Sequence, residues 1–189
     1  MPFKLQNETD NGLKIIKNQL FQDDRGYFTE SYNKRDFKEI GIDEEFVQDN
    51  HSVSQKGVLR GLHFQWEPKL GKLIRVTRGA ARFIELDIRK GSSHFAKYHT
   101  FELSAEKGYM LWVPAGFANG FIALEDDTHV QYKCTALWNP KAEASIRWND
   151  PELSIDWKLP IGFEPLVSEK DKNGITLKNW SAMPESDIL

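Results

Sequence analysis

The feature that most constrains this chain is a succession of short apolar-rich segments between Phe46 and Thr135, each closed by a turn signal. Phe46–Val53, Leu73–Thr77, Ala81–Asp87, Tyr98–Leu103, Gly108–Val113, Gly120–Ala123 and His129–Thr135 read as strands. Arg78-Gly79, Lys90-Gly91, Pro114-Ala115-Gly116 and Glu125-Asp126-Asp127 punctuate them. Short strands at this spacing predict an all-β fold, an antiparallel sandwich or barrel. The aromatic complement, 6 Trp, 12 Phe and 5 Tyr, suits pleated surfaces and points the same way. Within Ala81–Asp87, Phe83 and Glu85 project to one face and Ile84 and Leu86 to the other. That strand is therefore expected to be covered on both sides for part of its length, and Glu85 then needs a partner or water.

Outside this region the signals are fewer. Gly12–Phe21 alternates loosely as an early strand, Asp23-Asp24-Arg25-Gly26 is a turn, and Tyr27–Ser31 is a further strand. Asn33–Ile40 predicts a short helix: Asn33 can cap it, Phe37 and Ile40 share a face, and Gly41 ends it. After Pro140 the pattern turns irregular, and Ser181–Leu189 has too little to bury to be expected in an ordered tail. A length of 189 residues accommodates one domain, 1–189, with a core over about 12–160 and a C-terminal cover and tail over 161–189.

Several function classes are disfavoured. A net charge of −3 provides no field for nucleic acid or an anionic membrane, so an anionic ligand must be caught by a local Arg and Lys cluster. The first ten residues are polar and lack a signal-peptide core, and no apolar run approaches the ~20 residues of a membrane span. The expectation is a soluble cytoplasmic protein. The single cysteine, Cys134, excludes an intrachain disulfide framework and reads as a buried thiol in a strand. The five histidines, His51, His63, His94, His99 and His129, contain no H-x-H pair, so no metal is expected. There is no G-x-S-x-G, G-x-G-x-x-G or P-loop.

Acid/base chemistry remains. Arg60, His63 and Lys72 fall within or beside the glycine-punctuated stretch Leu59–Gly71, and His63 is the residue there that can take a proton near neutral pH. Each also has a plain structural explanation, since single strand histidines are commonly structural and isolated cations usually sit on the surface. Spacing alone leaves both readings open.

At these residues the chain resembles the dTDP-4-dehydrorhamnose 3,5-epimerase family of cupin-like jelly rolls. The resemblance runs from about Phe21 to Asp171. It includes Asp24-Arg25-Gly26-Tyr27-Phe28, Phe46-Val47-Gln48-Asp49-Asn50-His51-Ser52, Val58-Leu59-Arg60-Gly61-Leu62-His63-Phe64-Gln65, Gly71-Lys72-Leu73, Val113-Pro114-Ala115-Gly116-Phe117-Ala118, Tyr132-Lys133-Cys134-Thr135 and Ser168-Glu169-Lys170-Asp171. It implies an antiparallel jelly roll with a few short helices. The implied activity is cofactor-free epimerisation of a nucleotide-diphosphate 4-keto sugar, in a homodimer whose N-terminal residues cross between subunits.

The resemblance also implies roles. His63 matches the base, Asp171 the carboxylate that orients it, Tyr132 the acid on the opposite face, and Lys72 the cation near the C4 oxygen. Arg25 and Arg60 match diphosphate or sugar contacts, and Glu30, Gln48, Asn50, Glu143 and Lys170 match further substrate contacts. Trp138 matches an aromatic that stacks on the nucleotide base. Asn119 stands where the family commonly has His; it can hydrogen-bond the sugar but carries no proton at neutral pH. That departure makes a single-site epimerase, acting at C3 or C5 of a related sugar nucleotide, the alternative to inversion at both carbons.

Overall fold

The computed structural model describes residues 2–189. The chain begins with β1 (Phe3–Glu8), β2 (Lys14–Asn18), the hairpin of β3 (Phe21–Asp23) and β4 (Gly26–Phe28), and helix α1 (Lys34–Glu39). It continues through β5 (Gln48–Ser54), β6 (Val58–Gln65), β7 (Lys72–Arg78), β8 (Ala80–Asp87), β9 (Tyr98–Ser104), β10 (Tyr109–Val113), β11 (Phe117–Ala123) and β12 (Thr128–Cys134). It closes with β13 (Glu143–Ser145), β14 (Leu166–Val167), α2 (Glu169–Lys172), α3 (Leu177–Ala182) and a 3-10 turn at Pro184–Asp187. Two large sheets form, in the orders β1-β2-β10-β7-β12-β5 and β13-β6-β11-β8-β9, with β14 also on β6, and β3 and β4 make a separate two-stranded sheet. Among the described residues the strands pair antiparallel except β14 on β6, where Leu166 and Val167 run parallel to Val58 and Leu59, and a single parallel bridge joins Ile146 to Ile175.

Three apolar layers explain the sequence pattern. Between the sheets, Ile74, Val76, Leu111 and Val130 of the first meet Ala81, Phe83, Leu103 and Phe121 of the second. Behind the second sheet, Leu62, Phe64, Ile84, Leu86 and Ile122 are covered by Trp157, Leu177 and Trp180 from the C-terminal region. Behind the first, Ile16, Leu73, Met110 and Trp112 are covered by Phe37 of α1 and by Ile42. Strand β8 is thus buried on both faces, and Phe83, Ile84, Leu86 and Glu85 are all inaccessible to solvent. Glu85 is the one charged side chain among them.

The helix forms as its sequence predicts. The Asn33 side chain accepts from the Asp36 amide at 2.8 Å, and Gly41 follows with φ +78°. Two expectations need correction, and two strands stand where the sequence pattern marked none. The polar N-terminus is a strand, because β1 pairs with β2 along an edge that needs only one buried face. The strand expected over Tyr27–Ser31 ends at Phe28, where its short hairpin runs out of a partner. The stretch from Leu59 to Gly71 opens as a full strand, β6, despite its glycine. The tail, Ser181–Leu189, is ordered: Ser186 is inaccessible, and Met183 and Leu189 pack against the layer behind the second sheet, next to buried Trp180. One large aromatic, Trp180, stabilises that tail by covering apolar strand surface that would otherwise face water. No helix among the described residues is long and apolar enough to cross a membrane.

Candidate active site

One end of the space between the sheets is polar and opens as a cleft of about 400 Å³. Strand period 2 places its lining: Gln48 and Asn50 of β5, Lys72 of β7 and Tyr132 and Cys134 of β12 come from the first sheet, and His63 and Gln65 of β6 from the second. His63 and Tyr132 therefore stand on opposing walls. Glu143, Lys170 and Trp138 complete the rim. The sequence comparison left Phe64, Gln65, Leu70 and Cys134 out of this lining. The signal for Gln65 was available in its period-2 relation to His63.

His63 owes its position to an irregular pairing. Strand β11 matches Asn119 to His63 but Phe121 to Arg60, so an extra residue of β6 is accommodated between them. Gly61, at φ +112°, lies in that bulge, and a Cβ there would meet the Asn119 carbonyl oxygen and the Gly120 Cα, both at 2.6 Å. Only glycine lets β6 approach β11 so closely. On the far side of the bulge Arg60 turns toward the β5 edge, where Nε donates to Ser54 Oγ and Nη2 to the Val53 carbonyl, each at 3.1 Å.

Asp171 reaches His63 from 108 residues away, on α2 of the C-terminal cover. Its carboxylate Oδ1 lies 2.6 Å from His63 Nε2, and the residue is only 4% exposed. Ser168 caps α2 by accepting the Asp171 amide at 3.1 Å, and this short helix lies against β6. Burial alone would push the Asp171 carboxyl up, but the His63 hydrogen bond and charge, with help from Ser168 and the Gly61 backbone, hold it below the usual carboxylate range. A carboxylate accepting from Nε2–H assigns the imidazole tautomer and leaves Nδ1 with the free lone pair.

The opposite wall is electrostatically different. Burial raises the Tyr132 phenol, Cys134 adds to this, and Asn50 and Arg60 oppose it without cancelling it. Tyr132 is therefore held protonated, as a donor. Lys72 Nζ lies 5.6 Å from the Tyr132 ring centroid and donates to Asn119 Oδ1 at 3.1 Å. Desolvation pulls the Lys72 ammonium downward, and nearby acidic groups, Glu85 first, pull it back. Asn119 in turn donates from Nδ2 to Glu85 Oε1 at 2.6 Å. Glu85 thus has the partner its buried position required.

The rim is organised around Trp138, which is 58% exposed. Its backbone amide donates to Gln48 Oε1 at 2.9 Å, while Gln65 Nε2 donates to the Leu137 carbonyl at 3.1 Å and Gln65 Oε1 accepts from the Asn139 amide at 2.7 Å. The loop is pinned by its backbone, and the indole stands largely exposed at the rim while hydrogen-bonding toward Glu143. Lys170 pairs with Glu143 at 2.5 Å. Burial would raise the Glu143 carboxyl, but Lys170 and Trp138 outweigh it and bring it down.

Four of the expected substrate contacts do not line this cleft: Arg60, turned to the β5 edge, Asn119, held between Lys72 and Glu85, and Arg25 and Glu30. Arg25 sits in the β3–β4 turn, bound to Asp23 at 2.5 Å, and Glu30 accepts from Asn33 Nδ2 at 2.8 Å. Neither lines the site of its own chain. The hairpin that carries Arg25 instead exposes Phe21, Tyr27 and Phe28.

Comparisons with known proteins bear on this geometry. A family model described as dTDP-4-dehydrorhamnose 3,5-epimerase matches residues 9–179. A dTDP-4-dehydrorhamnose 3,5-epimerase of Methanothermobacter thermautotrophicus is 41% identical over 186 residues, covering 98% of this chain and 97% of its own. The crystal structure of dTDP-6-deoxy-D-glucose-3,5-epimerase from Legionella pneumophila, in complex with dTDP-4-keto-L-rhamnose, superposes with a TM-score of 0.90 at 39% identity. That match covers 99% of this chain and 97% of the other. A 3′-monoepimerase from Streptomyces bikiniensis, in complex with dTDP-quinovose, matches with a TM-score of 0.83 at 30% identity, over 89% of this chain and 85% of its own.

Proposed function

This chain belongs to the dTDP-4-dehydrorhamnose 3,5-epimerase family, and from that premise we propose that it converts dTDP-4-dehydro-6-deoxy-D-glucose to dTDP-4-dehydro-L-rhamnose by inverting C3 and C5. The observation that carries this reading is the 2.6 Å contact of His63 with buried Asp171, on the wall facing a protonated Tyr132. A base and an acid on opposing walls are what inversion needs.

The C4 ketone acidifies the hydrogens on both C3 and C5, because removing either gives an enolate conjugated to the same carbonyl. His63 Nδ1 takes the proton, and the C–H electron pair moves into the carbonyl. The Lys72 ammonium stabilises the enolate oxygen as its charge grows. Asp171 stabilises the imidazolium that results. Tyr132 then gives its phenolic proton to the other face of the carbon, and the configuration inverts. Proton exchange with solvent returns His63 and Tyr132 to their starting states. Every step is a proton transfer, so the reading calls on no metal or redox cofactor.

Gln48, Asn50, Glu143, Lys170 and Arg60 would hold the sugar and diphosphate, with guanidinium and ammonium groups suited to phosphate oxygens. Trp138, exposed on a pinned loop, would stack on the base. The placement of Arg25 and Glu30 away from their own cleft, on an N-terminal region with exposed aromatics, supports a homodimer in which they complete the partner's site. Proton NMR of the sugar after incubation with dTDP-4-dehydro-6-deoxy-D-glucose tests the reading. The L-configured 4-keto product is expected from the native chain and not from His63→Ala. A 3-keto product, or full conversion by His63→Ala, would overturn it.

A further inference from the structure

The least expected group near the cleft is Glu85. It is fully inaccessible, and Phe83, Ile84 and Leu86 beside it on the strand are apolar and equally buried. Oε1 accepts from Asn119 Nδ2 at 2.6 Å, and Oε2 has no hydrogen-bond partner. A buried carboxylate with an empty oxygen is expensive unless a nearby charge offsets it. The offsetting charge is Lys72, which reaches the other end of the same amide: Lys72 Nζ to Asn119 Oδ1 is 3.1 Å. The amide can bridge in only one sense. Turned over, it would set Nδ2 against the ammonium and Oδ1 against the carboxylate, two repulsive contacts in place of two hydrogen bonds.

We propose that Glu85 is a positioning residue for the epimerisation: through Asn119 it fixes the Lys72 side chain in place and sets its electrostatic surroundings. The inference rests on the reading in which Lys72 faces the substrate C4 oxygen. Three features carry it: the burial of Glu85, the continuous Glu85–Asn119–Lys72 chain, and the register that sets Asn119 level with both Glu85 on β8 and His63 on β6. The chain therefore links the enolate-facing cation to the strand that holds the base. Asn119, which transfers no proton itself, serves here as a connector between two charges.

The other titratable groups around the pair are His99, level with Glu85 on β9; Tyr132 and Cys134 on β12; Glu143 on β13; and His63 on β6. Cys134 and Glu143 act on Lys72 in the same direction as Glu85 but after it. Desolvation drives Lys72 down and Glu85 well up, while their mutual attraction opposes both. Removing the Glu85 charge leaves desolvation of Lys72 less opposed, so Lys72 loses its proton at lower pH.

The test is a kcat–pH profile, read as solvent deuterium entering the sugar, for the native chain, Glu85→Gln, Glu85→Asp and Lys72→Met. Gln keeps the acceptor for Asn119 and removes the charge. Its alkaline limb is expected to move to lower pH, with kcat at pH 8 down ~10-fold or more and KM within about twofold. Glu85→Asp keeps the charge and should restore the native limb. A Glu85→Gln profile that superimposes on the native one, or falls equally at every pH, would overturn the inference. Lys72→Met separates the two levels: retention of native kcat defeats the role of Lys72 itself, whereas its loss beside an unmoved Glu85→Gln limb defeats only the role of Glu85. A stability measurement covers poor folding of the single variant. Lys72→Met leaves Glu85 without its offsetting charge, so adding Glu85→Gln should raise its Tm; an equal or lower Tm counts against the pair.

Discussion

Replacing Asp171 by Asn isolates what its charge does for His63. The substitution preserves size and leaves an oxygen where Oδ1 now accepts from Nε2 at 2.6 Å. What disappears is a charge held among groups that favour it, at a residue only 4% exposed. A hydrogen bond to an ionised group contributes ~1.5–3 kcal/mol. At about 1.4 kcal/mol per decade, kcat should fall ~10- to 100-fold, because the lost stabilisation belongs to the imidazolium formed during reaction. KM should change little. A flipped amide would present NH2 to Nε2 and favour the tautomer protonated on Nδ1, deepening the loss. The assay is initial-rate deuterium incorporation at saturating substrate. Stability gives a second reading. The Asp171 carboxyl is held below its ordinary value, so its contribution is fully present above about pH 5 and is lost as pH falls through its folded pKa. The Tm gap between native chain and variant should therefore narrow on acidification. A variant with kcat within twofold of native would refute the dyad as the source of the base.

Three further outcomes follow from named contacts. Gly61→Ala should cost more than ~1 kcal/mol, seen as a lower Tm, and most of the activity, because φ is +112° and the new Cβ would meet two β11 atoms at 2.6 Å. Trp180→Ala should destabilise by ~3–5 kcal/mol in chemical denaturation, since a fully buried indole would leave a cavity against Phe64; a change under about 1 kcal/mol would show that the tail does not stabilise the fold. Trp138→Ala should raise KM ~10-fold with kcat nearly intact, as expected where an exposed stacking contact contributes ~1–3 kcal/mol to binding.

The sheet region was legible because its strands alternate or run apolar between strong turn signals, and α1 because Asn33 and Gly41 mark both ends. The tail was not, because its burial is concentrated in Trp180 and Leu177, which only tertiary contact with β6 and β8 makes informative. Much the same holds at the site. His63 and Lys72 lie near one another in sequence, but Asp171 comes from a distant helix whose carboxylate looks like surface until α2 docks on β6. Glu85 was visible as an anomaly in an apolar strand. Its connection to Lys72 needed the register of β8, β11 and β7 across both sheets. Arg25 and Glu30 carry the family's pattern yet lie outside their own cleft, a distinction that motif matching within one chain cannot make.

Asn119, in place of a proton-carrying side chain, bears on whether both carbons are inverted. Incubating the enzyme with dTDP-4-dehydro-6-deoxy-D-glucose in D₂O and locating deuterium by NMR tests it most directly. Deuterium is expected at both C3 and C5 of the L-configured product, with none incorporated by His63→Ala. Deuterium at one carbon alone would contradict inversion at both and make the chain a single-site epimerase.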